Sequence, residues 1–201
     1  RLFVSAQPPD DPSGQPPGVV SSFAIDAPTG ALRHLGTQPT GGSSPCHLST
    51  DASGRFLTVA NFRGKGDKGS AVMLRIGPGG ELSAPTCRFE HAGSSVHPTR
   101  QRCCHVHSMM FDPSQRHVLA ADLGTDELVV YRLDADAGVL ARRETLRVER
   151  GSGPRHMAFH PNGRFAYLIN EIANTMLALA YDDVSARPTA LQTLACLPLG
   201  F

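Results

Sequence analysis

The chain has 201 residues, with 19 basic against 18 acidic side chains for a formal net charge of +1, and 40% hydrophobic residues. So even a balance excludes the electrostatic footprint of a nucleic-acid or anionic-membrane binder, and the apolar fraction separates the chain from disordered segments. No apolar run reaches the roughly eighteen residues of a membrane span, while 20 glycines and 16 prolines favour turns and short strands over a helical bundle.

The chain opens on Arg1-Leu2-Phe3-Val4-Ser5, with neither an initiator methionine nor a signal-peptide pattern, and closes on Leu197-Pro198-Leu199-Gly200-Phe201. A piece of a longer protein is therefore expected. Strands are predicted at Leu2–Ala6 and Val19–Ile25, followed by a turn at Ala27-Pro28-Thr29-Gly30. Next comes Pro45-Cys46-His47-Leu48-Ser49-Thr50, the turn Asp51-Ala52-Ser53-Gly54-Arg55, and a second apolar strand ending at Asn61. The same order returns at His107 to Asp122 around the turn Asp112-Pro113-Ser114-Gln115-Arg116. It returns again at Pro154 to Asn170 around His160-Pro161-Asn162-Gly163-Arg164. Each hairpin leads into another apolar strand, Ser70–Ile76, Glu127–Leu133 or Thr175–Tyr181, and then into a turn and one more strand.

The matching turn positions fall at 51, 112 and 160, spacings of 61 and 48 residues. The loops Arg63–Gly69 and His91–Cys104 account for the longer spacing. Four strands per unit at this period predict an all-β fold, a β-propeller, with units near residues 1–38, 39–90, 104–147 and 154–201 of one domain. An antiparallel sandwich is the alternative, and the repetition counts against it. About three and a half to four blades are present, an incomplete ring. Five cysteines, two of them adjacent (Cys103-Cys104), do not suit a disulfide framework. Free thiols in a reducing, cytoplasmic setting are expected.

Equivalent positions of successive blades surround one axis, so polar residues at those positions converge. Five residues before the aligned turn stand Cys46, His107 and Arg155, and eleven after it Phe62, Leu123 and Glu171. His107, Arg155 and Glu171 thus form the candidate hydrolytic group. His or Glu takes a proton from water, and Arg holds an anion or a developing oxyanion. Simpler readings stand beside this one. Arg155 and Glu171 could be a strand-pinning salt bridge. His105 and His107 could alternate onto one side as metal ligands, although no third ligand is evident. His156 and His160 could be structural, and nothing marks Cys103-Cys104 as an ionised nucleophile. The stretch Gly64-Lys65-Gly66-Asp67-Lys68-Gly69-Ser70 lacks phosphate-loop spacing and reads as a solvated loop, and no Gly-x-Ser-x-Gly elbow is present.

The block Gly151-Ser152-Gly153-Pro154-Arg155-His156-Met157-Ala158-Phe159-His160-Pro161-Asn162-Gly163-Arg164, followed by Asn170-Glu171, resembles the signature of the seven-bladed propeller lactonases. These are the bacterial-type 6-phosphogluconolactonases, with the fungal carboxy-muconate cyclases among their relatives. His91-Ala92-Gly93-Ser94-Ser95-Val96, His105-Val106-His107-Ser108 and Ala121-Asp122-Leu123-Gly124-Thr125-Asp126 are similar as well. The resemblance runs over nearly the whole chain. It implies an intact protein about twice as long, with one blade's worth before Arg1 and about three blades after Phe201. It also implies hydrolysis of a sugar-acid lactone, most directly 6-phosphogluconolactone, without metal or other cofactor. The catalytic residues it implies are His107, Arg155 and Glu171, with His105, Arg155 and His156 contacting a small anionic lactone. A further arginine of the family site would come from a later blade. Lactone formation from a carboxylated muconate is the alternative chemistry. A non-catalytic interaction scaffold is the other class, poorly supported in a chain with no Trp and three Tyr. No obligate protein partner is evident.

Overall fold

The structure, a computed structural model, describes residues 1–8 and 17–198. Fifteen strands lie in these segments. β1 (Leu2–Ala6), β2 (Val19–Ile25) and β3 (Leu32–Pro39) form one sheet; β4 (Ser43–Thr50), β5 (Phe56–Arg63), β6 (Ser70–Ile76) and β7 (Leu82–Glu90) form the next. β8 (Val106–Phe111), β9 (His117–Asp122), β10 (Glu127–Asp134) and β11 (Val139–Arg147) make the third. β12 (Pro154–Phe159), β13 (Phe165–Asn170), β14 (Thr175–Asp182) and β15 (Arg187–Ala195) make the fourth. Every pairing joins chain neighbours in antiparallel fashion, so each sheet is a meander. A 3-10 turn, Lys65–Asp67, interrupts the β5–β6 connection.

The aligned turns are built by their first side chain. Asp51 Oδ1 accepts the backbone N–H groups of Arg55 and Phe56 at 2.8 and 2.7 Å, and Asp112 Oδ1 those of Arg116 and His117, both at 3.0 Å. An acidic side chain that closes its own turn is the reason Asp suits this position. In the third unit His160 Nδ1 accepts from Asn162 N–H, and Asn162 Oδ1 in turn from Arg164 N–H.

The sheets stack face to face in order. β4 packs on β8 and β8 on β12, while β3 meets β7, β7 meets β11, and β11 meets β15. First strands adjoin first strands and last strands adjoin last strands, which is the radial stacking of a β-propeller. The apolar cores lie between the blades. Val20, Leu57, Val59, Val72 and Leu74 fill the first gap, Phe56, Met73, Met109, Val129 and Tyr131 the second, and Leu119, Leu128, Leu168, Leu177 and Leu179 the third. Strands β5 and β9, covered on both faces, are accordingly buried along nearly their whole length, whereas β13 and β14, each covered on one face, alternate.

Register irregularities also repeat. Each pairing of the first strand with the second in the last three sheets is broken: between Pro45 and His47, between Val106 and Ser108, and between Pro154 and Met157. The unpaired residues are Cys46, His107 and the pair Arg155-His156. A bulge bends its strand and re-aims the extra side chain, so the fold turns these positions toward one end of the blade stack.

Candidate active site

His107 and Arg155 enter the site from the bulges at the starts of β8 and β12, and Glu171 follows the end of β13. The turn 150–154 locks the last two together. Glu171 N–H donates to Gly153 O at 2.8 Å, and Ile172 N–H to Ser152 O at 3.1 Å. Asp126, 2% exposed, braces the same turn from the neighbouring blade, accepting Gly151 N–H on Oδ2 and Gly153 N–H on Oδ1, each at 2.7 Å. Gly153 is required here. Its φ is +66°, and a Cβ would lie 2.6 Å from Ile172 Cγ1.

Arg155 Nε donates to Glu171 Oε2 at 2.9 Å, and Arg100 Nη2 donates to the other oxygen, Oε1. His107 Nε2 stands 3.6 Å from Glu171 Oε2, close enough for electrostatic coupling but beyond a direct hydrogen bond. The His107 ring meets His156 edge-on at a centroid distance of 5.2 Å, and His156 meets His47 at 5.3 Å. Phe62 closes one side, its ring edge-on to His107 at 5.4 Å. His107 Nδ1 and His156 Nε2 are buried, and neither has a hydrogen-bond partner among the described residues.

Burial is the main influence on His107 and pushes its imidazole down to about 4, with the Arg155 charge acting in the same direction. Burial also brings His47 to about 4 and lowers His156. At neutral pH these three rings are uncharged. Burial tends to raise the Glu171 carboxyl, yet the Arg100 hydrogen bond and the charges of Arg100 and Arg155 hold it below the usual carboxylate range. The site is therefore a carboxylate between two guanidinium groups, beside neutral imidazoles, with a net positive charge. Both guanidinium side chains are more than two-fifths exposed and can meet an anion arriving from solvent.

The structure brings His107, Arg155, Glu171 and His156 together. The Arg155–Glu171 salt bridge weighed in the sequence is present, within this larger cluster. His105 stands apart. It is 5% exposed, its ring stacks on Phe62 at 4.2 Å and 3°, and Nδ1 donates to Phe62 O at 2.9 Å. The bulge at His107 interrupts the strand alternation that would have aimed both imidazoles one way, so His105 and His107 do not face a common point. Cys104 is no nucleophile, since burial raises its thiol to about 11 and Sγ donates to His91 O at 2.9 Å. His160 stays in its turn.

Arg100 and His47 were not singled out in the sequence. His47 follows the bulged Cys46, so the repeat that marks His107 marks its neighbourhood as well. Arg100 lies in the 91–105 connection, which has no counterpart in the other units and hence no alignment signal. That connection is held by buried polar contacts: His91 Nδ1 to Asp122 Oδ2 and Nε2 to the Tyr131 hydroxyl, both 2.7 Å, and Gln101 Nε2 to Asp126 Oδ1 at 2.8 Å.

Residues 4–201 match the family model described as "Lactonase, 7-bladed beta-propeller". The 6-phosphogluconolactonase of Bacillus subtilis (strain 168) is 34% identical over 184 residues, covering 92% of this chain and 51% of that protein. The 6-phosphogluconolactonase of Pectobacterium carotovorum is 35% identical over 183 residues, covering 90% and 50%. Among solved structures, the Pseudomonas aeruginosa periplasmic gluconolactonase PpgL superposes with a TM-score of 0.86 at 29% identity, covering 99% of this chain and 55% of that one. The chain thus spans about half the length of the curated relatives it matches.

Proposed function

Since the chain belongs to the family of seven-bladed β-propeller lactonases, we propose that the protein hydrolyses a sugar-acid lactone, 6-phosphogluconolactone first among candidates, to the open-chain acid. The observation that carries the reading is the meeting of Arg155 and Arg100 on Glu171, beside an uncharged His107. His107, Arg155 and Glu171 are the catalytic residues of this proposal, and Arg155 and His156 contact the substrate. His105, expected from the resemblance to contact the substrate, stacks on Phe62 instead. The relatives from Bacillus subtilis and Pectobacterium carotovorum are named for the same lactone.

Water lying between His107 Nε2 and Glu171 attacks the ring carbonyl carbon, and its proton passes to the His107–Glu171 pair, which titrates as a unit. Arg155 stabilises the tetrahedral oxyanion. Collapse restores the carbonyl and breaks the ring C–O bond, and the leaving alkoxide takes the proton back from the pair. The remaining positive charge holds the substrate's anionic group.

We place the reaction in the oxidative pentose phosphate route and the protein in the cytoplasm, as a single propeller domain with units near residues 1–38, 39–90, 104–147 and 154–201. The five free thiols fit that compartment. No helix among the described residues is long and apolar enough to cross a membrane. PpgL is a periplasmic protein, so fractionation of the source cell separates the two settings.

The test is a comparison of the intact protein's kcat/KM on 6-phosphogluconolactone, unphosphorylated gluconolactone and a carboxylated muconate. Preference for the phosphorylated lactone is expected. Turnover of the muconate alone, or of none of the three, would overturn the reading.

A further inference from the structure

Outside this cluster, three chemically different donors meet at the junction of two blades. Cys103 Sγ stands 3.6 Å from His105 Nε2 and 3.8 Å from Asp67 Oδ2. All three donor atoms lie within 4.8 Å of one another. We propose that Asp67, Cys103 and His105 bind one zinc-class divalent ion, with a fourth position left to water.

The distances suit that ion. Zinc takes sulfur at about 2.3 Å and nitrogen or oxygen at about 2.0–2.2 Å. At tetrahedral angles those bond lengths separate S from N, and S from O, by about 3.5–3.6 Å. The two sulfur separations, 3.6 and 3.8 Å, reach this range with a shift of a few tenths of an ångström. A thiolate, an imidazole and a carboxylate together select zinc, or a metal of similar softness, over calcium or magnesium.

The surroundings are those of a prepared ligand. His105 is 5% exposed, and its Nδ1–H is committed to Phe62 O. This fixes the tautomer, so the Nε2 lone pair points toward Cys103 and Asp67, the usual arrangement for a metal-binding histidine. Stacking on Phe62 and the hydrogen bond from His105 N–H to Asp122 Oδ1 hold the residue in place. On the opposite side, Asp67 adopts φ +64° within the 3-10 turn. Its Oδ1 lies 3.3 Å from Arg63 Nε, leaving Oδ2 for the metal. The loop 64–69 and Cys103, which the hydrolytic site leaves unused, thereby acquire a common role.

Binding forms three metal–ligand bonds and displaces the Cys103 thiol proton and metal-bound water to solvent, with no change of oxidation state. The ion ties the β5–β6 loop to the segment entering β8. Its ligand His105 stacks on Phe62, which meets His107 edge-on, yet the ion takes no part in the lactone chemistry and stands independently of that reading.

Cobalt(II) serves as the probe because its thiolate complex absorbs visibly in the near ultraviolet. The intact protein is expected to bind one equivalent with a thiolate-to-cobalt band that added zinc abolishes. Cys103→Ser and His105→Gln should both lose the band, Asp67→Asn should weaken binding at least tenfold, and Cys196→Ser should leave it unchanged. Far-ultraviolet circular dichroism checks that each variant folds. Absence of the band in the wild type, or its persistence in a folded Cys103→Ser or His105→Gln protein, would overturn the proposal. The readout is absorbance, so a failure of lactone hydrolysis does not affect it.

Discussion

Glu171 is held by two arginines of different origin, and each contributes differently to its charge. Arg155 comes from the adjacent bulge, while Arg100 reaches across from the long connection before β8. Removing Arg100 takes away both a hydrogen bond to the carboxylate and a neighbouring positive charge, the two interactions that most depress the Glu171 pKa. In the wild type the rate should stay level from neutral pH downward and fall as the pH passes below about 4, where His107 gains a proton, while the lowered Glu171 pKa keeps the carboxylate ionised. In Arg100→Met the Glu171 pKa rises, so that fall should begin at higher pH. A kcat/KM profile against pH checks this, and an unshifted acid limb would show that Arg100 does not tune the carboxylate. That His107, Arg155 and Glu171 come together was legible in the sequence, because they occupy positions the repeat makes comparable. Arg100 was not, since no second unit contains its connection. His105 misled for a related reason: strict alternation groups it with His107, and a single extra residue in the strand separates them.

The bulged first strand recurs in three sheets and does in each what a regular ladder would not, lifting one or two residues out of register at the blade's end. What keeps the third bulge in position is Asp126, which accepts two backbone N–H groups of the 150–154 turn. Asp126→Ala leaves those donors unpaired in a buried place, where each unsatisfied group costs about 1–3 kcal/mol. Urea unfolding should show a loss of about 2–4 kcal/mol. The turnover number should fall as well, because the turn that carries Arg155 loses its support. Unchanged stability would mean that the turn holds itself. The hairpins and their Asp- or His-led turns could be read from residue order alone, because Pro, Gly and Asx chemistry acts locally. The bulges could not, since they depend on how two strands are paired.

Across the molecule, stability resides between blades rather than within them. The middle sheets are covered on both faces, and their inner strands carry apolar runs such as residues 118–121 and 128–131; the repetition of four-stranded units made the all-β propeller legible from the sequence. Which runs face which gap is a three-dimensional property that periodicity does not encode. Leu168, fully buried in the gap between the third and fourth sheets, should cost about 2–5 kcal/mol when replaced by Ala. Leu191 on β15 is 56% exposed, and the same replacement should change stability by no more than about 0.5 kcal/mol. Denaturant titration of the two variants separates them, and equal effects would contradict this placement of the core. The metal cluster joins two loops from adjacent blades and shows the same limit, since residues 67 and 103 carry no sequence relation to one another.

Convergence of His107, Arg155 and Glu171 on one hydrolytic centre is tested most directly by steady-state hydrolysis of 6-phosphogluconolactone by the intact protein and its His107→Ala, Arg155→Ala and Glu171→Gln variants, with folding checked by circular dichroism. Each substitution should lower kcat by at least about a hundredfold, the scale expected for loss of an acid–base or oxyanion-stabilising group. Wild-type turnover in all three folded variants would contradict it.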